Sequence, residues 1–165
     1  MDFSSFKKYS EDFYMEAHLM VDNPAQYLKS LSEAGFRRFL GHIEKMKNLE
    51  EFIAEGQIFG EVGLALDIDT QVEQIKIPYD DLDCILLMSV KAGKSGREFD
   101  TSVISKIQSI HEKSPIPIEI DGGINDSNIK SIHQSGAERF VVTSFIFDNP
   151  NPQKAYENLL DSFNS

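Results

Sequence analysis

The sequence predicts an α/β fold made of about six consecutive βα units. Short runs rich in β-branched and aromatic residues alternate with amphipathic stretches, which is the pattern of repeated βα units. Six residues mark the strand ends at intervals of 24, 25, 21, 33 and 22 residues, each close to one such unit; they are His18, His42, Asp67, Met88, Asp121 and Thr143. A series of this kind fits either an open doubly wound sheet or part of a (β/α)₈ barrel.

The individual elements follow from the same pattern. The predicted strands are 14–20, 38–43, 60–66, 84–90, 117–120 and 139–143. The predicted helices are 24–34, 49–55, 71–75, 102–113, 126–135 and 153–163, with a weaker one in 3–13. Asn23-Pro24 predicts a helix start with a capping side chain, and Gly35, Gly56 and Gly136 are predicted to follow helix ends.

Composition limits the class of protein. A chain of 165 residues with 41% hydrophobic content predicts a single domain over residues 1–165. The net charge of −11 argues against nucleic acid or an anionic membrane as a partner. No apolar run approaches 18 residues, so we expect a soluble, cytoplasmic protein. The single cysteine, Cys84, lies in the apolar run 82–90, where a buried core thiol is favoured over a nucleophile.

Three strand ends carry polar or glycine-rich turns. They lie in the segments 16–21, 88–96 and 118–124. In parallel α/β proteins such turns stand at the carboxyl ends of the strands, where phosphates and substrates bind. Together they predict a sugar-phosphate site.

The order and spacing of these motifs resemble those of ribulose-phosphate 3-epimerases over nearly the whole chain. The resemblance rests on His18-Leu-Met-Val21 with Asn23-Pro24, His42-Ile-Glu44, Leu86-Leu-Met-Ser-Val90 with Gly93, Gly96 and Phe99, Asp121-Gly-Gly-Ile124, and Thr143-Ser-Phe-Ile-Phe147. It implies a partial (β/α)₈ TIM-type barrel of about six βα units.

The resemblance also implies an isomerase that inverts the carbon next to the ketone of a pentulose 5-phosphate. That reaction needs two acid/base groups on opposite faces of the substrate, and a divalent metal (zinc, manganese or iron) to hold charge on the enediolate oxygens. Asp121 corresponds to an aspartate that is both a metal ligand and a proton donor, and His18 to a metal-ligand histidine. The residues implied to bind the substrate or its phosphate are His18, Met20, Met88, Gly93, Lys94, Ser95, Gly96, Gly122, Gly123, Thr143 and Ser144.

One part of the family pattern is absent from these 165 residues. The family opens with a strand, a helix and a second strand that carries the other aspartate and another metal-binding histidine, and nothing in 1–13 replaces that motif. We therefore expect a gap in the barrel, with open edges on the first and last strands that the N-terminal helix or a second subunit covers. Two ligands predict a metal that binds weakly or not at all.

Two functions stay open at this point. One is epimerase-like isomerisation; the other is a non-catalytic phosphosugar-binding or structural descendant that has lost the second aspartate and two metal ligands. A different phosphate-binding barrel enzyme, such as a hexulose-phosphate synthase, is less favoured because the sequence has no matching acid pair.

Several residues allow two interpretations. His42 and Glu44 lie on one face of a strand, and a structural pair is favoured over catalysis. Asp121 is the strongest candidate for chemistry, although a turn aspartate remains an alternative. Three loop cations could either offset phosphate charge or be solvated; they are Lys91, Lys94 and Arg97.

Overall fold

A computed structural model describes residues 2–91, 93 and 96–164. Six strands form one sheet: β1 (Met15–Leu19), β2 (Phe36–His42), β3 (Glu61–Leu66), β4 (Cys84–Met88), β5 (Ile118–Asp121) and β6 (Arg139–Val141). They pair in sequence order, and every neighbouring pair is parallel. The prediction of six serial βα units is confirmed.

Helices connect the strands. The α-helices are α1 (Leu28–Glu33), α2 (Leu49–Phe59), α3 (Val103–His111), α4 (Ile129–Gln134), α5 (Ser144–Phe147) and α6 (Pro152–Asn164). Short 3-10 segments cover Ser4–Tyr9, Pro24–Tyr27, Ile43–Lys45, Val72–Gln74 and Tyr79–Asp81.

The predicted helix boundaries need three corrections. Gly56 lies inside α2 rather than after it, because the glycine lets the helix approach β3: an added Cβ would stand 2.8 Å from a methyl group of Val62. Asn23 precedes the helical segment as predicted, but its φ is +51° and its side chain makes no capping hydrogen bond. The predicted helices at 3–13 and 71–75 are only 3-10 turns.

The two faces of the sheet bury different residues, as the two-residue period of a strand requires. Phe39, Leu64 and Ile85 face outward and pack with the helices in the main hydrophobic core. A second, inner cluster contains Leu40, Ala65, Cys84, Leu86, Met88 and Val90. Cys84 is fully buried there, and burial raises the pKa of its thiol to about 12, which confirms a core cysteine rather than a nucleophile.

The sheet curls into a half-barrel around this inner face. The curvature brings side chains of β1 and β5 together across the interior, where His18 Nδ1 lies 3.1 Å from Asp121 Oδ2. β1 and β6 are the outermost strands of the sheet, as expected. The N-terminal segment packs Phe3 on Tyr27 and Phe6 on Phe36; coverage of the strand edges by this segment or by a second subunit stays a prediction.

Within the described residues, no helix combines the length and the apolar character that crossing a membrane requires.

Candidate functional site

A cavity of about 350 Å³ lies at the carboxyl ends of the strands. This end of a parallel barrel is where active sites are built. Its lining residues are Met20, Met88, Val90, Gly93, Gly96, Arg97, Asp121, Gly122, Gly123, Ile124, Val141, Val142, Thr143 and Ser144. A smaller cavity of about 200 Å³ adjoins it, since Met20 and Gly93 line both; its other lining residues are His42, Glu44, Lys45 and Asp67.

The structure brings most of the predicted site residues together. Of the eleven residues predicted to bind substrate or phosphate, eight line the 350 Å³ cavity: Met20, Met88, Gly93, Gly96, Gly122, Gly123, Thr143 and Ser144. His18 is not among its lining residues and lies behind Asp121. Lys94 and Ser95 fall outside the described residues, so their predicted contacts with the substrate stay predictions.

The turn after β5 requires its two glycines. Gly123 has a φ of +62°, and a Cβ built on it would stand 2.4 Å from the backbone nitrogen of Phe99. Gly122 has a φ of +120°, and a Cβ built there would stand 2.6 Å from a methyl group of Val90. Both the backbone conformation and the space exclude larger residues here. At this turn the chain therefore lines the cavity with backbone that carries no side chains.

Two side chains that sequence reasoning did not single out hold this turn in place. The hydroxyl of Ser89, which is fully buried, donates to the carbonyl oxygens of Asp121 at 3.1 Å and Gly122 at 2.5 Å. Asn128 Nδ2 donates to the carbonyl oxygen of Gly123 at 3.0 Å, while Asn128 Oδ1 accepts from the Asn125 N–H at 2.8 Å. These bonds fix the backbone on both sides of the glycines.

The loop cations separate into two environments. Arg97 lines the 350 Å³ cavity. Lys91 instead lies 3.6 Å from a carboxylate oxygen of Asp69, and both side chains are exposed. Arg97 is thus the described loop cation that is placed to meet an anionic ligand.

Asp121 is the first member of a chain of four polar side chains on the inner face. His18 Nδ1 lies 3.1 Å from Asp121 Oδ2, and His18 Nε2 lies 2.8 Å from His42 Nε2. His42 Nδ1 lies 3.2 Å from Glu44 Oε2. The predicted pairing of His42 with Glu44 is confirmed, but β2 ends at His42, so Glu44 lies in the 3-10 segment Ile43–Lys45 and not on the strand.

Glu44 anchors the far end of this chain. Its Oε1 accepts a hydrogen bond from the Asp67 N–H at 2.8 Å. Burial alone would raise the pKa of Glu44, but hydrogen bonds from His42, Thr70 and the Asp67 backbone outweigh it and lower that pKa to about 2. Glu44 is therefore a carboxylate at neutral pH.

A second polar layer lies one inward-facing residue closer to the amino ends of the strands. Arg38 donates to Glu16 at 2.8 Å and to Glu61 at 2.7 Å, and its charge lies between these two carboxylates. Burial, reinforced by a hydrogen bond with Glu16, raises the pKa of Glu119 to about 8. Arg139 Nη1 is buried and has no hydrogen-bond partner within the part of the chain that the structure describes.

The described residues do not complete a metal site. Zinc sites use at least three protein ligands, and no group of three or more His, Cys, Asp or Glu side chains among the described residues is placed to hold a metal ion. Both ring nitrogens of His18 already have side-chain partners, Asp121 and His42.

Comparisons with known proteins agree with the fold and the motifs. A family model described as the Ribulose-phosphate 3 epimerase family matches residues 3–147. The ribulose-phosphate 3-epimerase of Schizosaccharomyces pombe is 31% identical over 154 residues, which cover 92% of this chain and 68% of that protein. That of Chlamydia muridarum is 31% identical over 146 residues, covering 84% of this chain and 64% of the relative. The chain thus spans about two thirds of the length of these relatives.

A solved structure shows the same architecture. A crystal structure of KGPDC from Streptococcus mutans, determined as a ligand complex, superposes with a TM-score of 0.76 at 13% identity, covering 98% of this chain and 77% of that one. At this identity the likeness establishes the fold alone, a TIM-type half-barrel. The match to the family model over most of the sequence goes further: the chain belongs to the ribulose-phosphate 3-epimerase family.

Proposed function

We propose that the chain binds a pentulose 5-phosphate in the 350 Å³ cavity and that Asp121 moves the proton on the carbon next to the ketone. The observation that carries the proposal is the position of the Asp121 carboxyl group. It lines the same cavity as the turns Gly122–Gly123 and Thr143–Ser144. A proton-transfer group and an anion-binding wall thus face one space of small-molecule size.

The phosphate would lie against these two turns. Backbone N–H groups of glycine-rich turns after barrel strands suit a phosphate, because they donate hydrogen bonds without adding bulk. Arg97 lines the same cavity and would supply the positive charge that a chain of net charge −11 otherwise lacks.

The proton chemistry would take place at the other side of the cavity. The Asp121 carboxylate removes the proton from the carbon next to the ketone, and the electron pair of that C–H bond moves into the enediolate. Return of the proton from Asp121 restores the starting sugar, because the proton arrives on the face it left. The sulfur-containing side chains of Met20 and Met88 line the cavity beside this carboxylate and limit its solvation.

Inversion needs a second proton donor on the opposite face. Among the described residues, Asp121 is the only carboxylate that lines the 350 Å³ cavity. Members of the family generally use a divalent metal, yet the described residues supply only two of the expected ligands, His18 and Asp121. We therefore expect the 165-residue chain to exchange the substrate proton with solvent much faster than it inverts the carbon.

The single carboxylate also favours a second candidate function. A chain that keeps the phosphate turns but does not move the proton would be a non-catalytic pentulose-phosphate-binding protein. Both candidates predict binding, and only the first predicts that the hydrogen on the reacting carbon exchanges with solvent.

Two measurements test the proposal. Calorimetry with ribulose 5-phosphate and xylulose 5-phosphate should detect binding that Ser144→Glu removes by like-charge repulsion and Gly123→Val by bulk. The matched control is Ser131→Glu, which adds the same charge on the exposed face of α4. Circular dichroism checks that each variant is folded.

The second measurement follows deuterium entering the reacting carbon in D₂O by proton NMR. Exchange by the wild-type chain supports the isomerase candidate, and binding without exchange supports the binding candidate. Affinity that is equal in wild type, folded Ser144→Glu and the control would place the phosphate elsewhere and overturn the proposal.

A further inference from the structure

Asp67 is a strand-end residue that the proposed reaction does not use. It follows β3 directly, and its side chain lines the cavity of about 200 Å³ that adjoins the 350 Å³ cavity. Met20 and Gly93 line both cavities, so the two spaces meet at these residues. The smaller cavity can therefore receive one end of a sugar whose phosphate lies in the larger one.

The register of the sheet puts Asp67 and Asp121 in one row. Leu66 of β3 pairs with Leu87 of β4. The residues that follow them, Asp67 and Met88, therefore also lie side by side, and Met88 in turn pairs with Asp121. Asp67 and Asp121 thus flank Met88, and two strand spacings, or about 10 Å, separate them.

This separation matches the part of a pentulose between the reacting carbon and the hydroxyl group on carbon 1. Three covalent bonds of about 1.5 Å join that carbon to the hydroxyl oxygen, which gives a reach of about 4 Å. A carboxylate that removes a proton lies about 3 Å from the reacting carbon, and a hydrogen bond from the hydroxyl group spans about 2.7 Å. A sugar whose reacting carbon meets Asp121 can thus place its 1-hydroxyl group against Asp67.

The smaller cavity suits a hydroxyl group better than a second phosphate group. Two carboxyl side chains line it, those of Glu44 and Asp67, together with one lysine, Lys45. The ammonium group of Lys45 lies 3.2 Å from a carboxylate oxygen of Asp22, which offsets its charge. Carboxylates accept hydrogen bonds from hydroxyl groups and repel phosphate.

Of the two carboxyl groups, Asp67 is the better placed to accept this hydrogen bond. Both oxygens of Glu44 already have partners, the Asp67 N–H at 2.8 Å and His42 Nδ1 at 3.2 Å. Asp67 Oδ1 accepts from the Ile68 N–H at 2.8 Å. A carboxylate offers about four acceptor positions, so Asp67 can accept from a hydroxyl group in addition to the bonds that it already makes.

The backbone around Asp67 is held from a neighbouring helix. Lys106 of α3 is buried, and its Nζ donates to the carbonyl oxygens of Asp67 at 3.3 Å and Thr70 at 2.6 Å. Together with the bond from the Asp67 N–H to Glu44, these contacts fix the start of the loop after β3. A side chain on a fixed backbone can orient a ligand without losing much conformational entropy.

We propose that Asp67 binds the 1-hydroxyl group of the sugar and makes the site specific for ketose phosphates in which this group is unmodified. The inference rests on the proposed binding of a pentulose 5-phosphate in the 350 Å³ cavity. It assigns Asp67 a direct contact with the substrate that orients the reacting carbon toward Asp121.

Calorimetry with a matched pair of ligands tests the hydroxyl contact. 1-Deoxyxylulose 5-phosphate differs from xylulose 5-phosphate only in lacking the 1-hydroxyl group. The wild type should bind xylulose 5-phosphate about tenfold more tightly, as the loss of a hydrogen bond to a charged group predicts. In Asp67→Ala the two affinities should lie within about twofold of each other. The affinity for the deoxy compound should stay at the wild-type value, which also shows that the variant is folded.

Ribulose 1,5-bisphosphate tests the charge. Its second phosphate group would lie beside Asp67, so the wild type should bind it about tenfold or more weakly than ribulose 5-phosphate. Asp67→Asn removes the negative charge and keeps an oxygen for the Ile68 N–H. This variant should bind the bisphosphate about fivefold or more tightly than the wild type does. The control is Asp69→Asn, which removes the same charge from an exposed side chain beside Lys91 and should leave both ligand preferences unchanged.

The outcomes separate this inference from the proposed function. Equal affinity of the wild type for xylulose 5-phosphate and its 1-deoxy analogue overturns the inference and leaves the proposed function standing, because both ligands carry the 5-phosphate. A preference that persists in folded Asp67→Ala also overturns the inference, since another group then binds the hydroxyl. So does a gain in bisphosphate affinity that is equal in Asp67→Asn and Asp69→Asn. A wild-type chain that binds none of these ligands contradicts the proposed function, and the inference falls with it.

Discussion

The inner face of the half-barrel carries two polar layers from the same strands, and the carboxyl groups of the two layers have different partners. In the upper layer, β1 and β5 contribute His18 and Asp121, which lie 3.1 Å apart. Two residues earlier, the same strands contribute Glu16 and Glu119, and burial together with the hydrogen bond between them raises the pKa of Glu119 to about 8. The carboxyl group of the upper layer thus meets an imidazole, whereas that of the lower layer meets a second carboxyl group, which favours its protonated form.

The difference between the layers is also one of access. The upper layer borders a 350 Å³ cavity, whereas in the lower layer the charge of Arg38 lies between Glu16 and Glu61. Positions only two residues apart on the same strands thus have different surroundings. One set borders a cavity that can hold a ligand, and the charges of the other set are largely paired within the protein. The role of a charged group here depends more on its partners than on its residue type.

The largest expected effect is on the rate of deuterium exchange and comes from a change in the upper layer. Asp121→Asn keeps the shape of the side chain but cannot transfer a proton, so deuterium exchange should fall by about 10² to 10⁴-fold. The affinity for pentulose 5-phosphate should stay near the wild-type value. NMR in D₂O measures the exchange, and a coupled assay with added divalent metal should detect little or no epimerisation of ribulose 5-phosphate by the wild-type chain.

The control for this variant is Asp126→Asn, which removes a carboxylate from an exposed position five residues away. It should exchange the proton at the wild-type rate. Robust epimerisation by the purified chain would contradict the expectation and would mean that Glu16, Glu44 or a water molecule donates the second proton.

The sequence predicted the positions of the strands because short apolar runs rich in β-branched and aromatic residues alternate there with amphipathic stretches. It also predicted Asp121-Gly-Gly as a ligand turn, since two glycines after a strand permit close approach of the backbone to a ligand. It could not predict that Ser89 and Asn128 fix this turn. Ser89 reaches carbonyl groups 32 and 33 residues away, and only the pairing of β4 with β5 brings them together.

Other features depended on curvature and packing. The sequence placed His42 beside Glu44, but the contact between the two imidazole rings depends on the pairing of β1 with β2. The contact between His18 and Asp121 requires the sheet to curl. Lys91 and Arg97 were equivalent as loop cations, and only the folded loop separates them. Helix α2 extends past Gly56 because close packing on Val62, rather than a change of backbone direction, is the role of that glycine.

The next-largest expected effect is on the free energy of unfolding; it arises in the lower layer and depends on pH. Glu119 has a pKa of about 8 in the folded protein, against an ordinary value of 4.5. Between these values the folded state keeps a proton that the unfolded chain releases, so the free energy of unfolding falls as the pH rises from about 4.5 to 8. Glu119→Gln cannot ionise and keeps an N–H donor toward Glu16. It should therefore match the wild type near the acid end of this window and be more stable above it, by on the order of a few kcal/mol.

Urea unfolding at a series of pH values measures this difference. Glu138→Gln changes the same residue type at an exposed position just before β6 and should follow the wild-type profile. If wild type and Glu119→Gln lose stability in parallel as the pH rises, Glu119 is ionised in the folded protein. The contrast between the two layers would then rest on Asp121 alone.

The smallest expected effect is on the affinity for the ligand. In the lower layer the positive charge of Arg38 pairs with carboxylates of the protein, whereas the upper layer is expected to offer positive charge to a bound ligand. Arg97 lines the cavity, so Arg97→Gln should weaken binding of ribulose 5-phosphate by about tenfold, the loss of one charge-assisted hydrogen bond. Lys91→Gln removes an equal charge six residues away, but Lys91 lies beside Asp69 on the exposed surface. It should change the affinity by less than about twofold at physiological ionic strength. Calorimetry measures the affinity of both variants. Equal losses of affinity would mean that the phosphate responds to the overall charge of the loop and that Arg97 does not contact the phosphate directly.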